Sequence, residues 1–503
     1  MVLSPTIFCF YMAISRFFIN FAVFNHQNLS NMAFNTLIGR TREIRLLDDY
    51  MASGKAEFIA IYGRRRIGKT FLVKQYFEDQ FDFYVTGIYD NNKREQLFNF
   101  NRQLNKYSGV YYPIVNDWFE AFAQLQHYLD TLKDKKRIVV FIDELPWLDT
   151  PRSKFIRALE LFWNEWASSL PNFKFIVCGS ATTWMASKLL GDKGGLHNRV
   201  TRPIRLQSFT LAETERFLLS KGFQKDRLQT LEAYMILGGI PFYLDMLQPR
   251  YSITQNIDEM FFSESSPLRE EYSFLFRSLF NNATTYHRII EFIASKAKGM
   301  TKQEIVKGLK IIDNGNLSEA LENLCRCDFL RRYNSYGKKE RDMMYQLVDH
   351  YCLFYLRFVK NDNSQDRHRW SNSINDGVHK AWTGYAFEQV CLRHIEQIKD
   401  TLNITNIMSD VSSWQVPEAQ IDLVIDRKDR IINLCEMKYS DKPFSVTKTY
   451  LERMNFRREL FRERTKATKA LHLTMVSPLG IKDNAQREKI QSVVTLDDLF
   501  EKF

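Results

Sequence analysis

Cysteine is scarce and unpatterned in this 503-residue chain: seven residues, at 9, 178, 325, 327, 352, 391 and 435, with no paired C-x-x-C spacing. An odd number so spaced excludes a disulfide framework or a zinc site and fits reduced thiols in cytoplasm. Cys325 and Cys327 have no second ligand pair nearby and read as ordinary helix residues. Internal repeats and long low-complexity tracts are also missing. Val2 to Phe24 is mostly apolar, yet Arg16 and Asn20 interrupt it and no Lys or Arg precedes it, so neither stable membrane insertion nor a secretory signal is favoured. Met32 is expected to be the true start. Residues 1–31 are then a doubtful extension, an upstream misreading of the gene in preference to an optional anchor.

What is present suits a modular chain. Hydrophobic residues make up 45% and charged residues 26%, enough for about three or four domains, each burying a core. The net charge of +11 favours an anionic partner such as nucleic acid or nucleotide, because basic surfaces attract polyanions over distance.

The strongest chemical signal spans residues 56–77. The apolar run A-E-F-I-A-I-Y enters G-R-R-R-I-G-K-T and leaves as F-L-V-K-Q-Y-F, a strand, a phosphate-binding loop and a helix in sequence. Between Gly63 and Gly68, through Arg64, Arg65, Arg66 and Ile67, the backbone can curl so that N–H groups point inward. Lys69 then reaches the β- and γ-phosphates, Thr70 offers a hydroxyl to Mg²⁺, and Phe71 opens the helix. A second acidic element follows at 137–144, R-I-V-V-F-I-D-E. Its unbroken apolar residues suit a strand covered on both faces of a parallel sheet. Asp143 would bind Mg²⁺ through water, and Glu144 would polarise the attacking water. Lys174 to Ser180 reads as a further core strand, so Ser180, and less securely Thr182, is placed to sense the γ-phosphate.

Taken together, F-N-T-L-I-G-R-T-R-E-I at 34–44, the loop, the D-E strand, the Cys178 to Ala181 strand end and G-G-I-P-F-Y-L at 238–244 resemble the archaeal-type ATPases, of the STAND branch of AAA+ P-loop ATPases. The resemblance implies ATP with Mg²⁺ as cofactors, Gly39 and Arg40 near the base, and Gly239 to Pro241 as a lid element contacting nucleotide. Arg199 sits where an arginine that senses or stabilises the γ-phosphate would be useful.

A second constellation lies near the carboxyl end. Q-I-D-L-V-I-D-R-K-D-R-I-I-N-L-C-E-M-K-Y at 420–439 reads as two strands around the polar turn Arg427 to Arg430. Glu436 and Lys438, two apart, share a face, and hairpin pairing can bring Asp422 onto the same rim. With Glu388 in G-Y-A-F-E-Q-V-C-L, this pattern resembles the PD-(D/E)xK nuclease fold of restriction and repair enzymes. The resemblance implies that Asp422 and Glu436 hold Mg²⁺, that Lys438 orients or deprotonates water, and that Glu388 assists the metal. Such a set has its own logic: a divalent cation neutralises a phosphodiester and lowers the pKa of water, and hard oxygen ligands suit Mg²⁺. The helix-like run Lys448 to Lys469 is basic and offers phosphate contacts, although a solvated helix face explains it as well.

Between these ends, residues 281–348 look like a winged helix. A helix at Arg288 to Ala297 precedes T-K-Q-E-I-V, where Thr301 caps and Glu304 completes the box. A basic hairpin through Arg331, Arg332, Lys338, Lys339 and Arg341 follows. The second helix can enter a DNA major groove with the hairpin along phosphates, or the module can pack internally and read nucleotide state. The expected organisation is a multidomain α/β protein: a P-loop AAA+ parallel-sheet core at 32–205, a helical lid at 206–275, the winged helix at 276–358, a linker at 359–380, and a restriction-endonuclease-like α/β domain at 381–503. The expected function is an ATP-hydrolysing switch gating a Mg²⁺-dependent deoxyribonuclease or DNA-binding domain, in the cytoplasm. Its main alternative is a non-cleaving regulatory or scaffold switch that binds DNA or a protein. A homo-oligomer stays open; a motor moving along DNA is less attractive without an assured arginine finger.

Overall fold

The computed structural model describes residues 37–500 except 181, 192–195, 197–198, 281 and 339–341. The 1–31 extension, the first residues of the 34–44 segment, and Lys339 and Arg341 of the basic hairpin lie outside the described residues.

Five strands, β1 (Glu57–Tyr62), β2 (Phe83–Thr86), β3 (Ile138–Asp143), β4 (Phe173–Gly179) and β5 (Arg202–Arg205), form one sheet in the order β2-β3-β4-β1-β5. All neighbours run parallel. Every residue of β3 and β4 is buried, as a sheet covered on both faces requires. Trp118, Phe122, Leu125, Phe155 and Phe162, from helices Trp118–Asp130 and Phe155–Glu165, pack against Phe58, Val140 and Phe175 of the strands. Parallel pairing puts the exits of β1, β3 and β4 at one sheet edge, where ligands of open α/β sheets bind.

Helices follow: Leu211–Ser220, Arg227–Leu237, Pro241–Asp245, Ile253–Phe261 and Glu271–Arg277. Thr210 with Glu213 and Ser252 with Gln255 form capping boxes that fix two of the starts. The next module has helices Ala283–Ala294, Lys302–Leu309 and Gly315–Arg326. It also has an antiparallel sheet of β6 (Met300–Thr301), β7 (Leu330–Tyr333) and β8 (Met344–Leu347), ordered β6-β8-β7. The helix expected at Arg288 to Ala297 begins earlier because the Asn282 side chain accepts from the Thr285 amide. Thr301 and Glu304 form the expected box.

Composition makes 359–380 look like a linker, but part of it is pinned. Trp370 is buried, its amide donates to Asp258 Oδ1 at 2.8 Å, and its ring meets Phe354 and Trp382 edge-on. Helix Gly377–Arg393 then leads into a second five-stranded sheet: β9 (Ser409–Val416), β10 (Ala419–Arg427), β11 (Ile431–Met437), β12 (Ala470–Val476) and β13 (Ser492–Val494). Its order is β13-β12-β11-β10-β9, antiparallel among β9, β10 and β11 and parallel from β11 to β13. Helix Lys448–Thr465 is the crossover from β11 to β12, and its Met454 and Phe461 enter the sheet's core.

Candidate phosphate-loop and carboxylate sites

The loop after β1 is shaped by two glycines in the left-handed half of backbone space. At Gly63, φ is 148° and a Cβ would lie 2.3 Å from the Leu206 carbonyl; at Gly68, φ is 85°. Neither position tolerates a side chain without strain. Lys69 begins helix Lys69–Tyr76 and is buried, with Nζ donating to the carbonyls of Gly63 at 3.2 Å and Arg64 at 3.0 Å. Its side chain thus closes the loop upon itself. Burial lowers the Lys69 pKa, opposed by Glu144 and Asp143. Thr70 Oγ1 donates to Asp143 at 2.8 and 3.0 Å. Burial, with the charge of Glu144, pushes the Asp143 carboxyl up to about 6 against the help of Thr70. A carboxylate this short of positive charge, beside a hydroxyl, is a hard-oxygen set that fits Mg²⁺. Glu144 sits in the left-handed region (φ 46°) and accepts from the Ser180 hydroxyl at 2.9 Å and amide at 3.2 Å. The three strand ends therefore deliver Thr70, Asp143, Glu144 and Ser180 to one place.

Arg40 lies beneath the loop. It donates to the Ile67 carbonyl at 2.8 Å and the Gln207 carbonyl at 2.6 Å, and its amide reaches Glu213 at 2.9 Å. Gly39 is forced, since a Cβ there would meet Glu213 Oε1 at 2.8 Å. On the other side Pro241 opens helix Pro241–Asp245, and the Phe242 amide faces the Arg66 carbonyl at 3.5 Å. Two loop arginines reach outward. Arg66 pairs with Glu271 at 2.6 Å and lies 3.9 Å over the Phe242 ring. Arg64, buried, pairs with Asp349 at 2.6 Å and stacks on Phe329. Burial alone would lower the Arg64 pKa, but Asp349 holds it above the usual arginine range. Arg65 is half-buried and Phe71 exposed. Arg199 is exposed and makes no hydrogen bond or ion pair with the loop among the described residues. The Thr182 side chain falls outside them.

In the second sheet, β10 and β11 pair from Leu423 opposite Cys435 onward, which sets Asp422 beside Glu436. Glu388 joins them from helix Gly377–Arg393: burial, then the charge of Asp422, pushes its carboxyl up to about 8, against Lys438. Burial and Glu436 push Asp422 up to about 6. Lys438 Nζ lies 3.9 Å from Glu436 Oε1. Both Glu436 oxygens are engaged, Oε1 by the Tyr450 hydroxyl at 2.7 Å and Oε2 by Arg457 Nη1 at 2.6 Å. Among the described residues no three His, Cys, Asp or Glu side chains converge tightly enough to form a metal cage. The donors are again hard oxygens, the type that suits Mg²⁺, with Arg457 and Lys438 supplying positive charge beside Glu436.

Both arginines in the described part of the basic hairpin have protein partners. Arg331 is half-buried, its Nε donating to Gln346 at 2.7 Å, and Arg332, which is exposed, pairs with Glu322 at 3.3 Å. The tip is docked: the Tyr336 amide donates to the Ser413 carbonyl at 2.7 Å, and its ring packs 5.0 Å from Phe461. Helix Gly315–Arg326 exposes Asn316, Ser318 and Glu319, and Lys302 Nζ donates to the Ser318 hydroxyl at 2.8 Å.

Residues 37–247 match the family model of an ATPase domain predominantly from Archaea. The parallel-sheet unit is a P-loop ATPase core. Residues 355–454 match a family model of archaeal and bacterial proteins of unknown function. An uncharacterized protein of Methanocaldococcus jannaschii is 25% identical over 430 residues, 82% of this chain and 90% of its own length. An uncharacterized ATP-binding protein of the same organism is 40% identical over 43 residues, 8% of this chain and 73% of its own. Among solved structures, the Walker-type ATPase of Pyrococcus abyssi aligns over 65% of this chain and all of its own at 17% identity and TM-score 0.47. Cdc6p of Pyrobaculum aerophilum aligns over 66% and 97% at 12% identity and TM-score 0.33. No helix among the described residues is long and apolar enough to cross a membrane.

Five residues that shape the two sites escaped the sequence reading: Glu213, Glu271, Asp349, Tyr450 and Arg457. Glu213 carried a signal, as the fourth residue of T-L-A-E, and its two oxygens serve both the cap and the Arg40 amide. Tyr450 and Arg457 also carried one, because seven residues is two helical turns and places both on one face. Glu271 and Asp349 partner the ATPase core's loop from far along the chain, and no local spacing marks them.

Proposed function

We propose that this protein is an ATP-driven switch whose phosphate loop controls a carboxyl-terminal, metal-dependent deoxyribonuclease. The observation that carries the reading is the double tether of the loop: Arg66 to Glu271 and Arg64 to Asp349, which link the phosphate-binding turn to the helical lid and to the module beyond it. In the reaction, Lys69 leaves the Gly63 and Arg64 carbonyls for the β- and γ-phosphates. Thr70 and Asp143 would hold Mg²⁺, which supplies charge neutralisation between the phosphates. Glu144 turns from Ser180 to orient the attacking water, and Ser180, once released, is positioned to sense the γ-phosphate. Loss of that phosphate relaxes the loop, and the two arginine tethers carry the change outward.

At the second site Asp422 and Glu436 would hold Mg²⁺, Glu388 supports them, and Lys438 orients water toward a phosphodiester. In this reading the switch comprises the core at 32–205, the lid at 206–275, a winged helix at 276–358, a linker at 359–380 and the nuclease-like domain at 381–503. The docked hairpin tip and the protein partners of Arg331 and Arg332 support the internal-packing use of that module over direct DNA reading. They also favour one rival specifically: a switch whose last domain binds DNA or a protein without cutting.

The test is phosphate release from ATP with Mg²⁺, run beside nicking of supercoiled DNA with Mg²⁺ or Mn²⁺ under ATP, ADP and no nucleotide. Glu144→Gln is expected to bind ATP and slow turnover by at least about 10²-fold. Nicking that depends on nucleotide and vanishes in Asp422→Ala supports the reading. ATP turnover without nicking in any condition removes its second half.

A further inference from the structure

Glu436 is 7% exposed at the end of β11, and its two oxygens are held by Tyr450 and Arg457 of the Lys448–Thr465 helix. Leu451, Met454, Leu460 and Phe461 bury that helix in the domain core, so its backbone is fixed. The Arg457 side chain is not, being 33% exposed. Each Glu436 oxygen already accepts one donor, so a divalent cation arriving there shares the carboxylate with Tyr450 and competes with the positive charge of Arg457. The Tyr450 hydroxyl is neutral and can stay. The guanidinium is the donor that a metal ion weakens most, because two positive charges on one carboxylate repel, and its exposed side chain is free to turn away.

Where Arg457 goes is constrained by its chemistry. A planar guanidinium leaving a carboxylate finds its next-best fit in the paired oxygens of a phosphate, and the same helix carries a row of basic residues that would draw a phosphate backbone toward it. Those neighbours are otherwise occupied: Arg458 pairs with Glu459, Arg464 with Glu418, and Arg462 donates to the Ala467 and Lys469 carbonyls. Arg457 alone of these bridges the helix and the candidate metal carboxylate.

We infer that Arg457 is a two-position residue, holding Glu436 in the metal-free protein and turning to a phosphodiester oxygen when a divalent cation takes that carboxylate. This rests on the reading of Asp422, Glu436 and Lys438 as a metal-dependent phosphodiester site. Arg457 thereby couples metal entry to substrate grip: the site admits metal and gains a phosphate contact in one movement.

The experiment uses the full chain. Mn²⁺ is titrated calorimetrically without nucleic acid, and the salt dependence of binding to a fluorescein-labelled DNA duplex is measured once with Ca²⁺ and once with EDTA. Arg457→Ala is expected to bind Mn²⁺ about tenfold more tightly, roughly 1.4 kcal/mol, because a competing cation is gone. With Ca²⁺, the same variant lowers the slope of log affinity against log salt by about one; with EDTA it leaves the slope unchanged, since Arg457 is then on Glu436. Arg457→Lys restores the slope, and Arg458→Ala, which removes a charge one residue away, behaves as wild type. Arg457→Gln gives the same pair of shifts should Ala loosen the helix.

Unchanged or weaker Mn²⁺ binding in Arg457→Ala and Arg457→Gln overturns the inference, as does a slope that falls equally in Ca²⁺ and EDTA. Failure of the underlying reading looks different: Glu436→Gln would leave the Mn²⁺ heat of the wild type untouched, and both claims would go together.

Discussion

Removing the charge of Asp349 while keeping its shape isolates the tether between the phosphate loop and the module beyond the lid. Asp349 does two jobs, pairing with Arg64 at 2.6 Å and capping helix His350–Phe354 through the Cys352 amide at 2.8 Å. Asparagine retains the cap and loses the ion pair. The side chains of the pair are 6% and 3% exposed, and Arg64 Nε and Nη2 have no hydrogen-bond partner among the described residues. Stripping one partner from a buried pair costs about 3–5 kcal/mol. The asparagine oxygen that keeps the Cys352 cap leaves a donor NH₂ facing Arg64, so the full loss of about 3–5 kcal/mol is expected for Asp349→Asn. Arg64→Met should lose a similar amount, since it strands the Asp349 charge. The double variant strands neither, and its loss should fall short of the sum by at least about 1.5 kcal/mol.

Urea unfolding without nucleotide, followed by tryptophan fluorescence, measures the cycle. With several domains in the chain, the relevant transition is the one that Asp349→Asn displaces most. ATP affinity supplies a second readout, because the freed loop must be ordered again on binding; it should weaken several-fold in Asp349→Asn. Additivity of the two single losses to within about 0.5 kcal/mol, or an ATP affinity that does not change, would refute the tether.

Gly239→Ala tests the lid turn. With φ at 67°, its Cβ would sit 2.3 Å from the Phe209 carbonyl and 2.7 Å from the Tyr234 ring; a loss above about 1–2 kcal/mol is expected from conformation alone, with weaker ATP binding. Gly384→Ala, a helical site with nothing within 4 Å of the new methyl, should instead gain about 0.5–1 kcal/mol, as thermal melts of both variants will show. Glu388 gives a pH signature: its carboxyl is raised from 4.5 to about 8 by burial and Asp422, so the folded state keeps a proton that the unfolded chain releases. That contribution is complete below about 4.5 and is lost as pH rises toward 8. In EDTA the melting temperature should therefore decline across this window, and Glu388→Gln should flatten the decline; an unaltered slope would count against the buried carboxylate cluster.

The parts of this structure written in short-range pattern were readable from residues alone. The apolar runs of β3 and β4 ended at D-E and G-S as parallel core strands should. The 420–437 hairpin turned at its polar residues, and Thr301 and Glu304 closed their box. What could not be read depended on tertiary partners. The sequence L-R-R-Y at β7 looks like a basic hairpin, but Gln346 engages a half-buried Arg331 and the tip docks on Ser413. The polar 359–380 segment looks like a tether, yet one tryptophan and the Asp258 carboxylate fasten it to the lid. The loop arginines read as generic phosphate binders; their carboxylate partners, Glu271 and Asp349, come from distant helices, and an ion pair across such separation leaves no period in the sequence. At the carboxylate site the approach of Asp422, Glu436 and Glu388 was legible. The Arg457 that occupies it was hidden in a run of similar charges.

Titration calorimetry of ATP with Mg²⁺ into the wild-type chain and Lys69→Ala tests the central claim most directly. Lys69 is the side chain that must trade two loop carbonyls for the phosphates. The wild type should release binding heat, and Lys69→Ala should bind at least about 100-fold more weakly, roughly 2.7 kcal/mol. Equal affinities, or a folded wild type that takes up no ATP, would contradict the account.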